Sequence, residues 1–161
     1  MADLEARAPT PIDPGRCIGW ITLGASLHAI LTRMKAQPLS YPVLDLSYSA
    51  SDPVAQPIVL SLPENGIRLR FDGPDQRLRL IEVLDFSKIT LTWNKVELVK
   101  RNRSSGGGGY EQASSQGPKF AHVYNRLFGP TFAGEYIAPD RKTGSGVGTY
   151  VLSYYPGVSF S

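Results

Sequence analysis

From Leu62 to Val83 apolar and charged residues alternate along the chain, and that alternation leaves little for the segment to be besides a β-hairpin. Period-2 geometry puts Ile67, Leu69 and Phe71 on one face and Arg68 and Arg70 on the other. Asp72-Gly73-Pro74-Asp75 supplies turn chemistry before the pattern resumes at Arg77, Leu78, Arg79 and Leu80. Both strands keep a common core face if the loop is Gly73 to Gln76. Phe71 then lies opposite Leu78, Leu69 opposite Leu80, Asp72 opposite Arg77, and Arg70 opposite Arg79. A loop one residue longer would slip the register and set leucines against arginines.

The expected Arg70–Arg79 pair sets like charges together, which costs roughly 0.2–1 kcal/mol. An acid must offset it: Asp72 or Glu82 nearby, or an anion from outside. Two readings of the arginines follow. They are either solvated strand-face residues or a contact for an anion or phosphate headgroup, which the planar guanidinium fork grips bidentately. The candidate anion- or partner-binding set is Arg68, Arg70, Arg77, Arg79 and Lys88, with Lys95 as an extension.

The 161 residues favour one domain or little more, and a hydrophobic fraction of 42% is enough to fill a core. A net charge of +3 permits an acidic partner but falls short of the dense basic stripe of a nucleic-acid binder. The aromatics also alternate with core leucines and do not stand beside the arginines as stacking platforms, so no nucleic-acid partner is expected. The single Cys17 allows no internal disulfide and fits a reducing compartment. No apolar run approaches the ~20 residues that span a bilayer. The N-terminus carries Asp3 and Glu5 and lacks an apolar core, which argues against a secretory signal. These features suggest a cytoplasmic chain without a transmembrane segment, touching membranes only peripherally.

Ser26 is placed to cap a helix in which Leu27, Ile30, Leu31 and Met34 share one face, stopped at Gln37-Pro38. Strand-like segments follow at 43–48, 58–62, 66–72, 77–84 and 89–93, the last with a continuation at 96–99, and Asn65-Gly66 marks a tight turn. A helix followed by an antiparallel meander predicts an α+β layer with the helix covering one sheet face. Residues 102–118, rich in Gly and Ser, have linker composition and lack the Gly-Lys-Ser/Thr ending of a phosphate loop. After them, Phe120, Val123 and Leu127 share a helical face before the stop at Gly129-Pro130, and a hairpin follows at 150–160. The expected organisation is a flexible leader (1–16), an α+β domain (17–101), a linker (102–118) and a partial second α+β repeat (119–161).

Leu23-Gly24-Ala25-Ser26-Leu27, Asn65-Gly66-Ile67-Arg68-Leu69-Arg70-Phe71-Asp72, Gln76-Arg77-Leu78 and Ile81-Glu82-Val83 resemble the eukaryotic phagosome assembly factor family. Leu127-Phe128-Gly129-Pro130-Thr131 and Tyr155-Pro156-Gly157-Val158-Ser159-Phe160 resemble that family's next block, so the likeness runs from Ile18 to Ser161. The Gly- and Ser-rich inserts have a fungal style, and the family's greater length suggests an N-terminal part. The resemblance implies a non-enzymatic adaptor in autophagy or vesicle trafficking. It further implies a β-propeller protein partner, phosphoinositide binding, and recruitment to phagophore or Golgi-related membranes. The alternatives are a scaffold half-domain with no activity of its own, or an uncharacterised enzyme. No catalytic, cofactor or metal site is expected, since the carboxylates are scattered and His28 and His122 stand in no ligand or nucleophile spacing.

Overall fold

The structure is a computed structural model and describes residues 8–99, 117–138, 149–154 and 157–160. It divides into two units, Met1–Gly117 and Pro118–Ser161. Residues 102–116 of the expected linker and 1–7 of the expected leader lie outside the described residues. The fold class is α+β, with mostly antiparallel sheet and few helices.

The first unit begins with three short strands, β1 (Thr10–Asp13), β2 (Cys17–Ile18) and β3 (Ile21–Thr22), paired antiparallel in that order. β1 falls inside the stretch expected as leader. Helix α1 (Leu27–Lys35) follows, and Ser26 caps it by accepting the Ala29 N–H on Oγ at 3.2 Å. Arg33 and Lys35 in its last turn meet the negative end of the helix dipole. Its buried residues are Leu27, Ile30 and Met34, one stripe at helical spacing. On its flank, Arg33 stacks 4.4 Å above the Trp20 ring, while the Trp20 indole N–H donates to the Tyr41 hydroxyl at 2.8 Å.

Strands β4 (Asp45–Ser47), β5 (Ile58–Leu62), β6 (Ile67–Phe71) and β7 (Leu78–Val83) form an antiparallel sheet in chain order. Alternation decides its two faces. Leu60, Leu62, Ile67, Leu69, Phe71 and Leu78 point inward onto Leu27, Ile30 and Met34 of α1, and this is the core of the unit. Each such side chain, fully buried, contributes about 1.5–3 kcal/mol of transfer free energy. Gly66 makes the β5–β6 turn possible. Its φ is +70°, and a Cβ there would sit 2.4 Å from the Asp85 carbonyl oxygen.

The segment after β7 does not extend the meander as expected. β8 (Leu91–Trp93) pairs parallel to β1, and β9 (Val96–Glu97) folds back on β8. Thr10–Asp13 thus gives β8 a partner that local sequence pattern could not reveal.

The β6–β7 register needs one correction. The four-residue turn is present: Phe71 lies opposite Leu78, and the Asp72 N–H donates to the Arg77 carbonyl at 3.0 Å. Beyond it, a bulge makes Arg79 the extra residue, so Arg70 faces Leu80, Leu69 faces Ile81 and Arg68 faces Glu82. The expected Arg70–Arg79 and Leu69–Leu80 pairs do not form. The bulge takes Arg79 out of direct pairing with Arg70, brings an acid opposite Arg68 and turns Ile81 and Val83 toward the core. Its cost is Leu80, left 47% exposed on the outer face.

The second unit starts with a short helix α2 (Phe120–His122) that runs into a π-helical turn (Val123–Leu127), with Val123 and Leu127 buried. Strands β10 (Glu135–Ile137), β11 (Thr149–Tyr154) and β12 (Val158–Phe160) form an antiparallel sheet in chain order. β10 has no counterpart among the expected strands. Phe128, Tyr154 and Phe160 pack their rings at centroid separations of 5.7 to 6.3 Å.

Candidate anion-docking face

With α1 on the inner face of the β4–β7 sheet, the outer face is built from the alternate residues. The ladder lines up Ser61 with Arg68 and Glu82, and Val59 with Arg70 and Leu80. Arg68 Nε donates to Glu82 Oε2 at 2.7 Å and its Nη2 to Oε1 at 3.2 Å, a bidentate grip. Arg70 Nε donates to the same Oε2 at 2.9 Å. Two guanidiniums therefore share one carboxylate, and the cluster keeps a net positive charge. The Arg68 hydrogen bonds hold the Glu82 carboxyl below the usual carboxylate range, against the opposing pull of desolvation and with further help from Arg70. The same contact raises the Arg68 guanidinium. Arg70 commits only Nε to Glu82, which leaves its terminal nitrogens able to meet an incoming anion.

The other candidates stand elsewhere. Arg79, displaced by the bulge, donates Nε to Asp72 at 2.6 Å and Nη2 to Asp75 at 2.7 Å, clasping the Gly73–Gln76 turn. The Asp72 hydrogen bond leads in raising its pKa, followed by the charges of Asp72 and Asp75. Arg77 Nη1 donates to the Gly24 carbonyl at 3.3 Å, beside the bridge between Arg77 and Ser26. Lys88 Nζ donates to the Pro63 carbonyl at 2.8 Å, by the turn at the opposite end of β6. Lys95 occupies the β8–β9 turn. Of the expected set, the fold brings Arg68 and Arg70 together, draws Arg77 and Arg79 into the loop contacts of the hairpin, and separates Lys88 from both.

Sequence reasoning missed that Leu80 and Val59 flank Arg70, because the signal for a bulge lies in the clash it relieves and not in the alternation. It also missed a cleft of about 410 Å³ whose wall includes Trp20, Tyr41, Asn65, Ile67 and Lys88. That lining holds no Asp, Glu or His, so it does not unite an acid with His28 or His122. His28 is exposed on α1, and His122 belongs to the second unit. Among the described residues no His, Cys, Asp and Glu group is arranged to hold a metal ion, and no helix is long and apolar enough to cross a membrane.

Comparison with known proteins gives this geometry a family context. The family model for phagosome assembly factor 1 (PHAF1) matches residues 18–161. A PHAF1 protein of Arabidopsis thaliana is 35% identical over 147 residues, covering 91% of this chain and 30% of the relative. One of Caenorhabditis elegans is 32% identical over 138 residues, covering 86% of this chain and 28% of the relative. The chain thus spans under a third of the length of these relatives. No solved structure gives a significant match. The match runs across both units, from β2 through β12, and it includes the hairpin with its paired arginines: this chain belongs to the phagosome assembly factor 1 family.

Proposed function

We propose that this chain is the docking part of a non-enzymatic adaptor for phagosome assembly in autophagy, and that it engages an anionic surface through the outer face centred on Arg70. The observation that carries this reading is the sharing of Glu82 by Arg68 and Arg70, which leaves one positive charge uncompensated on a strand paired along both edges. Arg68 anchors the carboxylate bidentately, so Arg70 can turn its terminal nitrogens to a ligand without releasing Glu82. Val59 and Leu80 flank it with apolar surface, the combination a headgroup or an acidic protein loop needs beside its charge. The family and relatives are named for phagosome assembly, which supports the process. The non-enzymatic reading is supported by the acids of the hairpin. Asp72, Asp75 and Glu82 are all held by arginines, so none is poised as a free acid or base.

The finer expectation is a phosphoinositide at a phagophore or trafficking membrane, with a β-propeller protein as partner. Arg70→Glu is the direct test, since Arg68 keeps its own bond to Glu82. Flotation with vesicles of phosphatidylcholine, with and without a phosphoinositide, reads the lipid arm, and pull-down of a purified acidic propeller reads the protein arm. Loss of capture by about tenfold or more in one arm, with an unchanged circular dichroism spectrum, is expected for a charge-assisted contact. Capture that survives in both arms removes the arginine face from the docking role.

A further inference from the structure

The two units repeat one plan at the level of individual residues. In both, a helix precedes three antiparallel strands that pair in chain order, as β4-β5-β6 and as β10-β11-β12. The connections between the last two strands are of similar length, four residues (63–66) in one and three (155–157) in the other. Val59-Leu60-Ser61-Leu62 recurs as Val151-Leu152-Ser153-Tyr154. The registers match as well: Leu62 faces Ile67 as Tyr154 faces Val158, Ser61 faces Arg68 as Ser153 faces Ser159, and Leu60 faces Leu69 as Leu152 faces Phe160. Each connection ends on a glycine at positive φ, +70° at Gly66 and +92° at Gly157, placed just before a β-branched residue. The inward residues Leu62 and Tyr154 are both buried.

The sheets differ on one side. β6 carries β7 on its second edge, whereas among the described residues nothing pairs with the second edge of β12. We infer that the β12 edge is a strand-docking site and that its occupant is an antiparallel strand of this same polypeptide in a longer form, taking the part β7 takes in the first unit. Two observations choose that occupant. The relatives are more than three times longer than the stretch they share with this chain, so their polypeptide has ample length to supply it. The first unit, built to the same plan, satisfies the equivalent edge from its own chain. An open edge is otherwise a template for wrong pairing.

The register of β7 also specifies the chemistry of the occupant. Ile81 and Val83 lie opposite Leu69 and Ile67, so the docking strand puts apolar side chains opposite Phe160 and Val158. Glu82 lies opposite Arg68, but the equivalent of Arg68 is the uncharged Ser159, so the residue between the two apolar ones is polar and needs no charge. The repeat also serves as an internal control on the first unit. Ser159 shows that this sheet plan does not require an arginine at the position Arg68 holds.

Hydrogen exchange read by mass spectrometry tests the inference on the 161-residue chain, alone and joined to the segment that follows the matched region in the Arabidopsis thaliana relative. In the chain alone, the amides of Val158–Phe160 are expected to exchange about tenfold or more faster than those of Ile67–Phe71, and joining is expected to remove most of that difference. The amides of Ile67–Phe71 report on folding in both proteins. If the joined chain misfolds by that measure, the same segment added as a synthetic peptide gives the reading. Unchanged exchange at Val158–Phe160 with the segment present overturns the proposal, as does full protection in the chain alone at high dilution. Protection that rises with chain concentration assigns the edge to a second copy and also overturns it.

Discussion

Two guanidiniums share one carboxylate at Glu82, and the consequence is a pH-dependent contribution to stability with a definite sign. Arg68 and then Arg70 depress its folded pKa. The stabilisation is therefore complete above the unfolded carboxyl value of about 4.3 and is lost as pH falls through the depressed folded value. Glu82→Gln removes the charge while keeping the shape. Because the side chains of the cluster are between 25% and 38% exposed, solvent screens the contact in part, and the expected loss is about 1–2 kcal/mol, between a surface pair and a buried one. Urea unfolding of both proteins from pH 7 to pH 3 should show the gap close on the acid side. A gap that is constant with pH would mean that the glutamate acts by packing alone. At the opposite extreme, the clasp of Arg79 on Asp72 and Asp75 is exposed and concerns the shape of the turn more than its stability.

Among the elements, the hairpin β6–β7 and the hairpin β8–β9 show two solutions to a turn. In the first, four residues and a bulge take Arg79 out of pairing with Arg70, and the alternation that identified the strands could not announce the extra residue. In the second, only Asn94 and Lys95 connect the strands, both at positive φ, +49° and +66°. That is the two-residue connection in which asparagine is favoured first and glycine second. Lys95 holds a left-handed conformation that strains an L side chain. Lys95→Gly should raise stability by about 0.5–1 kcal/mol, visible as a higher urea midpoint with unchanged slope. A lower midpoint would show that the lysine side chain makes a contact worth more than the relief of strain. Helix α1, by contrast, was fully legible: the Ser26 cap, the Leu27, Ile30 and Met34 stripe and the stop before Pro38 are all local signals.

At the scale of the molecule, the core that joins α1 to β5, β6 and β7 draws every buried residue from between Ile21 and Leu78. A chain ending at Gly117 should therefore fold by itself and unfold in one cooperative step. Both tryptophans, Trp20 and Trp93, lie within it, so their fluorescence reads the transition. A broad, non-cooperative transition would show that this core depends on residues beyond 117. The sequence by itself determined what rests on neighbours along the chain: the α+β class, the helix stripe, the β5, β6 and β7 strands, the four-residue turn and the family. It did not determine β10, the pairing of β1 with β8, or which arginines share a carboxylate. Those depend on residues far apart in sequence meeting across a sheet, where one bulge takes Arg79 out of pairing with Arg70 and sets Glu82 opposite Arg68. Alternation fixes which side of a strand a residue takes, but only the closing of the sheet against α1 decides which residue stands across from it.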